Sequence, residues 1–337
     1  MNKKEPYHLL NLVKLLSIVS IIFFHINEFF FYKDINKAFS ETVFLKWIEL
    51  FSRLIPFSGQ TIVFCIFFIW GLKNKKVKNI FIFSAFLLLA HLVISIPWLE
   101  GNFLTDIEWD IYPFILFSYF VVQFLNKWPT LKRYFVLISL LMLWIPTRIF
   151  SSLNFPFFLK GAFVGNCMED FSGAWPLLPW VFLPILGFFL GREFVDKLSI
   201  GKKELLAWLF FILLGSSQYG NMFNLPFGPN FYCFILNLKP VVFWGNFVVI
   251  IFLARVSVLT NVQLFLSKYK VIQFISNLSW SRRFGLCYII QVLSLVSLFF
   301  IRNVFYNPVY LDLVFFGILF MPELVFFSLN KILRKKN

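Results

Sequence analysis

Three side chains able to bind anions or move protons stand in one apolar run near the start of the chain: Lys14, His25 and Glu28, within 9–31. At about 100° per residue, Lys14 and His25 lie about 20° apart around a helix; Asn11, Ser17 and Glu28 fall within about 60° of Lys14 on the same side. A neutral imidazole, with an ordinary pKa of about 6.5, can take a proton from a hydroxyl or amine, or be acylated as a relay. Glu28, one turn on, would orient it. Lys14 lies about 16 Å away along the axis and suits a phosphate or thioester better than proton transfer. The other faces are Leu, Ile, Val and Phe. A line of ionisable groups through a spanning helix is costly in hydrocarbon, which predicts that it faces the protein interior or a wet cavity. The plainer alternative is a lysine and a histidine that each reach headgroups from opposite ends. The alignment of the whole set favours function.

The elements that must position this line follow from composition. The 337 residues are 60% hydrophobic and 14% charged, with a mean hydropathy of +0.80. Repeated apolar runs of about 20 residues predict an all-α, polytopic integral membrane protein, read as a single domain over 1–337. The first run is too long for a signal peptide and lacks a small-residue cleavage site, so it is expected to be retained. Ten transmembrane helices are expected at about 9–31, 55–72, 79–99, 111–126, 134–150, 175–191, 205–220, 239–255, 284–301 and 309–330. The segments 1–8, 73–78, 127–133, 192–204, 256–283 and 331–337 hold 21 of the 31 basic residues, while 100–110 carries four acids and no Lys or Arg. That alternation places both termini in the cytoplasm. It also explains the net charge of +15 as topology, not nucleic-acid binding. The four cysteines have no metal-ligand spacing, and no metal is expected; Cys167 and Cys233 are free to pair across the outer loops, though nothing in the sequence requires it.

Further candidates lie along the chain. His91 sits in the third apolar run, where a packed core histidine and a site residue are both open readings. The stretch Glu169–Glu193, EDFSGAWPLLPWVFLPILGFFLGRE, combines Asp170, a proline-rich entry and Arg192. Its prolines halt backbone hydrogen bonding at a membrane surface, and Gly187 and Gly191, four apart, permit a close helix approach. The stretch 274–291, FISNLSWSRRFGLCYIIQ, places Arg282 and Arg283 at a helix start, as phosphate ligands or as plain cytoplasmic anchors. Glu323 is a further acid inside an apolar run, expected to be paired to a lysine or neutral.

The motif at 11–25 resembles the opening of the membrane acyltransferases of family 3 and of the group similar to the catalytic domain of heparan-alpha-glucosaminide N-acetyltransferase. Those families carry Asp, then Arg three later, then His eleven positions after that; here the positions hold Asn11, Lys14 and His25. Asp170, Pro176 to Trp180, Gly187, Gly191 and Arg192 are similar to a second family string. Phe67, Phe68 and Gly71 match a third, with Trp70 in place of Ser, and Arg283, Leu286 and Tyr288 match a fourth, with Gln291 where a His usually stands. The resemblance spans about 9–300 in order. It implies transfer of an acyl group, commonly acetyl, from cytoplasmic acyl-CoA to a hydroxyl or amine of a cell-envelope glycan or lipid-linked sugar. It would give catalytic roles to His25, Glu28 and Asp170 and donor binding to Lys14, Asn11, Arg192, Arg282 and Arg283. It also implies a multi-pass protein of a bacterial inner membrane whose partners are membrane lipid and the saccharide acceptor, with a homodimer admitted. The rivals are a saccharide transporter or flippase using the same polar line as a path, and a catalytically silent relative.

Overall fold

The computed structural model describes residues 7–31, 58–74, 77, 79–95, 110–144, 177–216, 240–299 and 308–334. Among them all regular structure is helical. The helices are α1 His8–Phe31, α2 Ser58–Leu72, α3 Ile80–Ser95, α4 Ile111–Lys127, α5 Pro129–Arg133, α6 Phe135–Trp144, α7 Leu177–Trp180 and α8 Phe182–Phe194. They continue as α9 Lys202–Ser216, α10 Pro240–Ser257, α11 Thr260–Leu266, α12 Lys270–Asn277, α13 Ser279–Arg282, α14 Phe284–Phe299 and α15 Pro308–Arg334.

Proline sets several of these boundaries. Pro129, Pro240 and Pro308 each occupy the first position of a helix, where the missing N–H would have had no partner and φ is already helical. Asp110 caps α4 through a hydrogen bond from the Ile111 N–H at 2.6 Å, so the chain enters the helix with one of its orphan donors satisfied. Burial pushes the Asp110 carboxyl up to about 6, against the opposing effect of that same bond.

The helices fall into two compact units, Val63–Val262 and Lys4–Ile62 with Gln263–Asn337. In the first, α2 and α8 meet through glycines. A Cβ on Gly187 would stand 2.7 Å from the Phe64 carbonyl oxygen; one on Gly71 would meet the Phe188 carbonyl oxygen, and one on Gly191 that of Phe68. The close approach expected from the spacing of Gly187 and Gly191 is thus made against α2. Trp70, Phe83 and Tyr119 form an edge-to-face cluster with centroids 5.3 to 5.9 Å apart. The Tyr119 hydroxyl accepts from the Val77 N–H at 3.1 Å.

Arg255, fully buried, closes the link between α10 and α9. Its Nε donates to Glu204 Oε1 at 2.7 Å, and its Nη1 and Nη2 donate to the carbonyls of Lys197 and Ser199 at 2.6 and 2.7 Å. The guanidinium also lies 5.1 Å from the Phe194 ring centre. Hydrogen bonding to Arg255 holds the Glu204 carboxyl below the usual carboxylate range, overcoming the opposing effect of burial.

In the second unit α1 packs against α12, α13, α14 and α15. One helix among the described residues is by itself long and apolar enough to cross a membrane, Leu313–Lys331 within α15. Shorter apolar stretches occur at His8–Ile22, Gly59–Leu72, Ile80–Ser95 and Phe284–Leu298, and the chain turns through 85° between Phe247–Ser257 and Thr260–Leu266. The helices α11, α12 and α13 occupy a stretch that the sequence reading leaves as a cytoplasmic segment.

Candidate functional site

The polar line of α1 is met, level by level, by the stretch 274–291. His8, the first residue of α1, brings its Nδ1 to 2.8 Å from Ser276 Oγ, and its backbone N–H donates to Gln263 Oε1 at 3.3 Å. Lys14 donates from Nζ to the Ser281 carbonyl at 2.6 Å. His25 Nδ1 lies 2.9 Å from Gln291 Nε2, and the His25 ring packs at 5.9 Å, tilted by 56°, on Tyr288. The rise of α1 and the paired rise through α13 and α14 keep these contacts in order. Lys14 and His25 therefore turn into the protein, where each finds a polar partner.

The site residues are buried to different degrees. Lys14 and Asn11 are buried and His25 is half-buried. Lys14 thus has a carbonyl as a direct partner, which ties α1 to the Trp280–Arg283 turn. Ser17 spends its hydroxyl within α1, on the Val13 carbonyl at 2.9 Å.

That turn is pinned from its other side by α15. Glu323 accepts from both the backbone N–H and the hydroxyl of Ser279, the latter at 3.0 Å. A carboxylate at the start of a short helix satisfies its orphan donors and complements its dipole. Glu323 thus has a structural partner other than the lysine the sequence suggests. Trp280 Nε1 donates to the Leu319 carbonyl at 2.7 Å, one turn before Pro322, where a proline disturbs the helical ladder. The exposed Arg283 lays its guanidinium 4.6 Å from the centre of the Phe326 ring. Arg282 sits beside it in the backbone of α13.

Gln291 is 1% exposed, and its Oε1 has no hydrogen-bond partner among the described residues. A buried acceptor left unpaired costs about 1–3 kcal/mol. Turning the amide by half a revolution would set Oε1 on an Nδ1–H of His25. That would fix the tautomer in which Nε2 is bare and basic.

The remaining sequence candidates are placed as follows. Arg192 is half-buried near the end of α8 in the other unit, where its Nη1 donates to Asn126 Oδ1. Trp180 and His91 are buried in that unit too, and His91 Nδ1 has no partner among the described residues. Asp170, Cys167 and Cys233 lie outside the described residues, as does the side chain of Glu28. The expected meeting of Asp170 with His25 therefore falls outside them. Sequence reasoning passes over His8, Ser276, Ser279 and Ser281, whose roles come from contacts over more than forty positions. The chain matches no protein-family model, no curated protein and no solved structure.

Proposed function

We propose that the chain is a multi-pass membrane acyltransferase that moves an acyl group, acetyl in the first instance, from cytoplasmic acyl-CoA to a hydroxyl or amine of a cell-envelope saccharide. The observation that carries the reading is His25, an imidazole within the 24-residue apolar helix α1, half-buried and held at Nδ1 by the amide of Gln291. Such a group is expensive to embed and is retained where it does work. The family resemblance, strongest at 11–25 and 170–192, supports the same assignment, as does the alternation of basic and acidic segments expected of ten spans with both ends in the cytoplasm of a bacterial inner membrane.

In this reading the Gln291 amide is turned so that its Oε1 accepts from His25 Nδ1–H, and the acceptor's hydroxyl or amine gives its proton to Nε2 while its heteroatom attacks the thioester carbonyl. The carbon–sulfur bond then breaks, and the departing thiolate takes the proton back from the imidazolium. Lys14 acts from one end of the same line. Its hold on the Ser281 carbonyl fixes the turn that carries Arg282 and Arg283, the pair suited to the donor's phosphates. Lys14→Ala is expected to raise the KM for acetyl-CoA with a smaller effect on kcat, in membranes assayed for transfer of labelled acetyl to envelope glycan. Membranes that accumulate or flip saccharide but leave no label on it would replace the enzyme with a transporter.

A further inference from the structure

The helix α12 exposes apolar and polar side chains together. Ser276 is buried against His8, while Val271 and Phe274 are 68% and 62% exposed beside the exposed Lys270, Gln273 and Asn277. On a helical projection Val271 and Phe274 lie about 140° and 160° from Ser276, so these two apolar side chains point away from the buried side of the helix. Phe265 and Tyr269, whose rings stack edge to face at 5.3 Å, extend the exposed apolar strip just before α12. Lys268 and Lys270 are exposed along the same strip, and 205–311 contains no Asp or Glu. Gln273 Nε2 donates to the Ser267 carbonyl at 2.5 Å, so the turn between α11 and α12 is braced.

The depth of the strip is fixed by its partners. Ser276 meets the first residue of α1, and Ser281 meets Lys14 further in. The helix α12 therefore lies level with the end at which α1 begins. An amphipathic helix with lysines at its margin and aromatics beneath lies in the interface and is drawn to anionic headgroups.

We infer that 263–277 is a membrane-surface platform that seats phospholipids with anionic headgroups, Lys268 and Lys270 binding the phosphates and Phe265, Tyr269, Val271 and Phe274 entering the acyl region. This rests on the membrane placement in the proposed function but not on acyl transfer. It gives that placement a chemical preference: anionic leaflet lipid over zwitterionic.

The test uses the full chain in nanodiscs of phosphatidylcholine with or without phosphatidylglycerol. Spin labels at Val271→Cys and Phe274→Cys, in a background with the native cysteines replaced, are expected to be reached by oxygen and shielded from a water-soluble nickel chelate. A label at Leu324→Cys, on the exposed face of the membrane-length helix, controls for insertion. Lys268→Gln and Lys270→Gln, both exposed and outside the polar line, are each expected to lower phosphatidylglycerol retention about fivefold at low salt. Added inorganic phosphate should not compete. A nickel-accessible label at 271 with a lipid-exposed label at 324 would overturn the platform alone, as would equal retention of both lipids. A water-exposed label at 324 would overturn the membrane reading with it. Labels at 271 and 274 shielded from both reagents would mean a protein partner covers the strip, and would also overturn the inference.

Discussion

At the scale of single residues, the His25–Gln291 pair is the point where chemistry and packing meet. The sequence exposes Lys14 and His25 because two ionisable groups in a run of Leu, Ile and Phe stand out against the cost of burying them. Gln291 enters the sequence reading only through the resemblance, as the position where a His usually stands. The sequence does not show that His25 and Gln291 belong together. That pairing spans 266 positions, and no local pattern encodes it. Ser276 and Ser281 are still less legible, being short, common side chains in a segment without a strong period. Gln291 acts in this account as a positioning residue. Gln291→Leu preserves bulk but removes the partner of Nδ1, so kcat for acetyl transfer should fall roughly 5- to 150-fold, matching about 1–3 kcal/mol for a lost buried hydrogen bond. The KM for the donor should change little. A fall in KM-dependent terms alone, or in protein level alone, would mean Gln291 is merely structural.

At the scale of elements, long apolar periods are read well. The expected runs at 9–31, 111–126 and 239–255 appear as α1, α4 and α10 within a residue or two, since their ends carry proline, an acidic cap or a charge. The run at 175–191 divides at Val181 into α7 and α8, a break that Pro179 and Pro184 explain only in hindsight. The helices α11, α12 and α13, of seven, eight and four residues, are too short to establish a period and are stabilised by tertiary contacts instead. Glycine spacing, by contrast, is informative at this scale. Gly71 and Gly191 face backbone carbonyls across the α2–α8 contact, and backbone atoms cannot swing aside as a flexible side chain can. Gly71→Ala and Gly191→Ala should each therefore destabilise the protein by about 1–3 kcal/mol, toward the upper end for overpacking. Gly201→Ala, with nothing within 4 Å of its added carbon, should be close to neutral. Thermal unfolding of the three variants in detergent checks the contrast, and equal midpoints would mean the two helices are held by something other than their close approach.

At the scale of the whole molecule, the sequence speaks through charge. Its basic residues concentrate in alternate segments, while 100–110 carries four acids and no Lys or Arg, and the proposed topology puts the two on opposite sides. Maleimide labelling of single cysteines placed at Lys76 and Thr105 should accordingly report opposite faces of the membrane; the same face for both would overturn the ten-span topology. The described residues are all helical in their regular structure, and one stretch among them, Leu313–Lys331, is long and apolar enough to cross a membrane. Function is less legible at this scale, because the residues that would name a substrate are few and their meaning depends on what they touch. The central claim is that His25 is the base or acyl relay of an acetyl transfer. It is tested most directly by following label from acetyl-CoA onto envelope glycan in membranes carrying equal amounts of the wild-type chain or His25→Ala. Wild-type membranes should label the glycan, and His25→Ala should lower the rate by about 10²- to 10⁴-fold, the usual loss on removing a general base. Labelling by His25→Ala at the wild-type rate would contradict it.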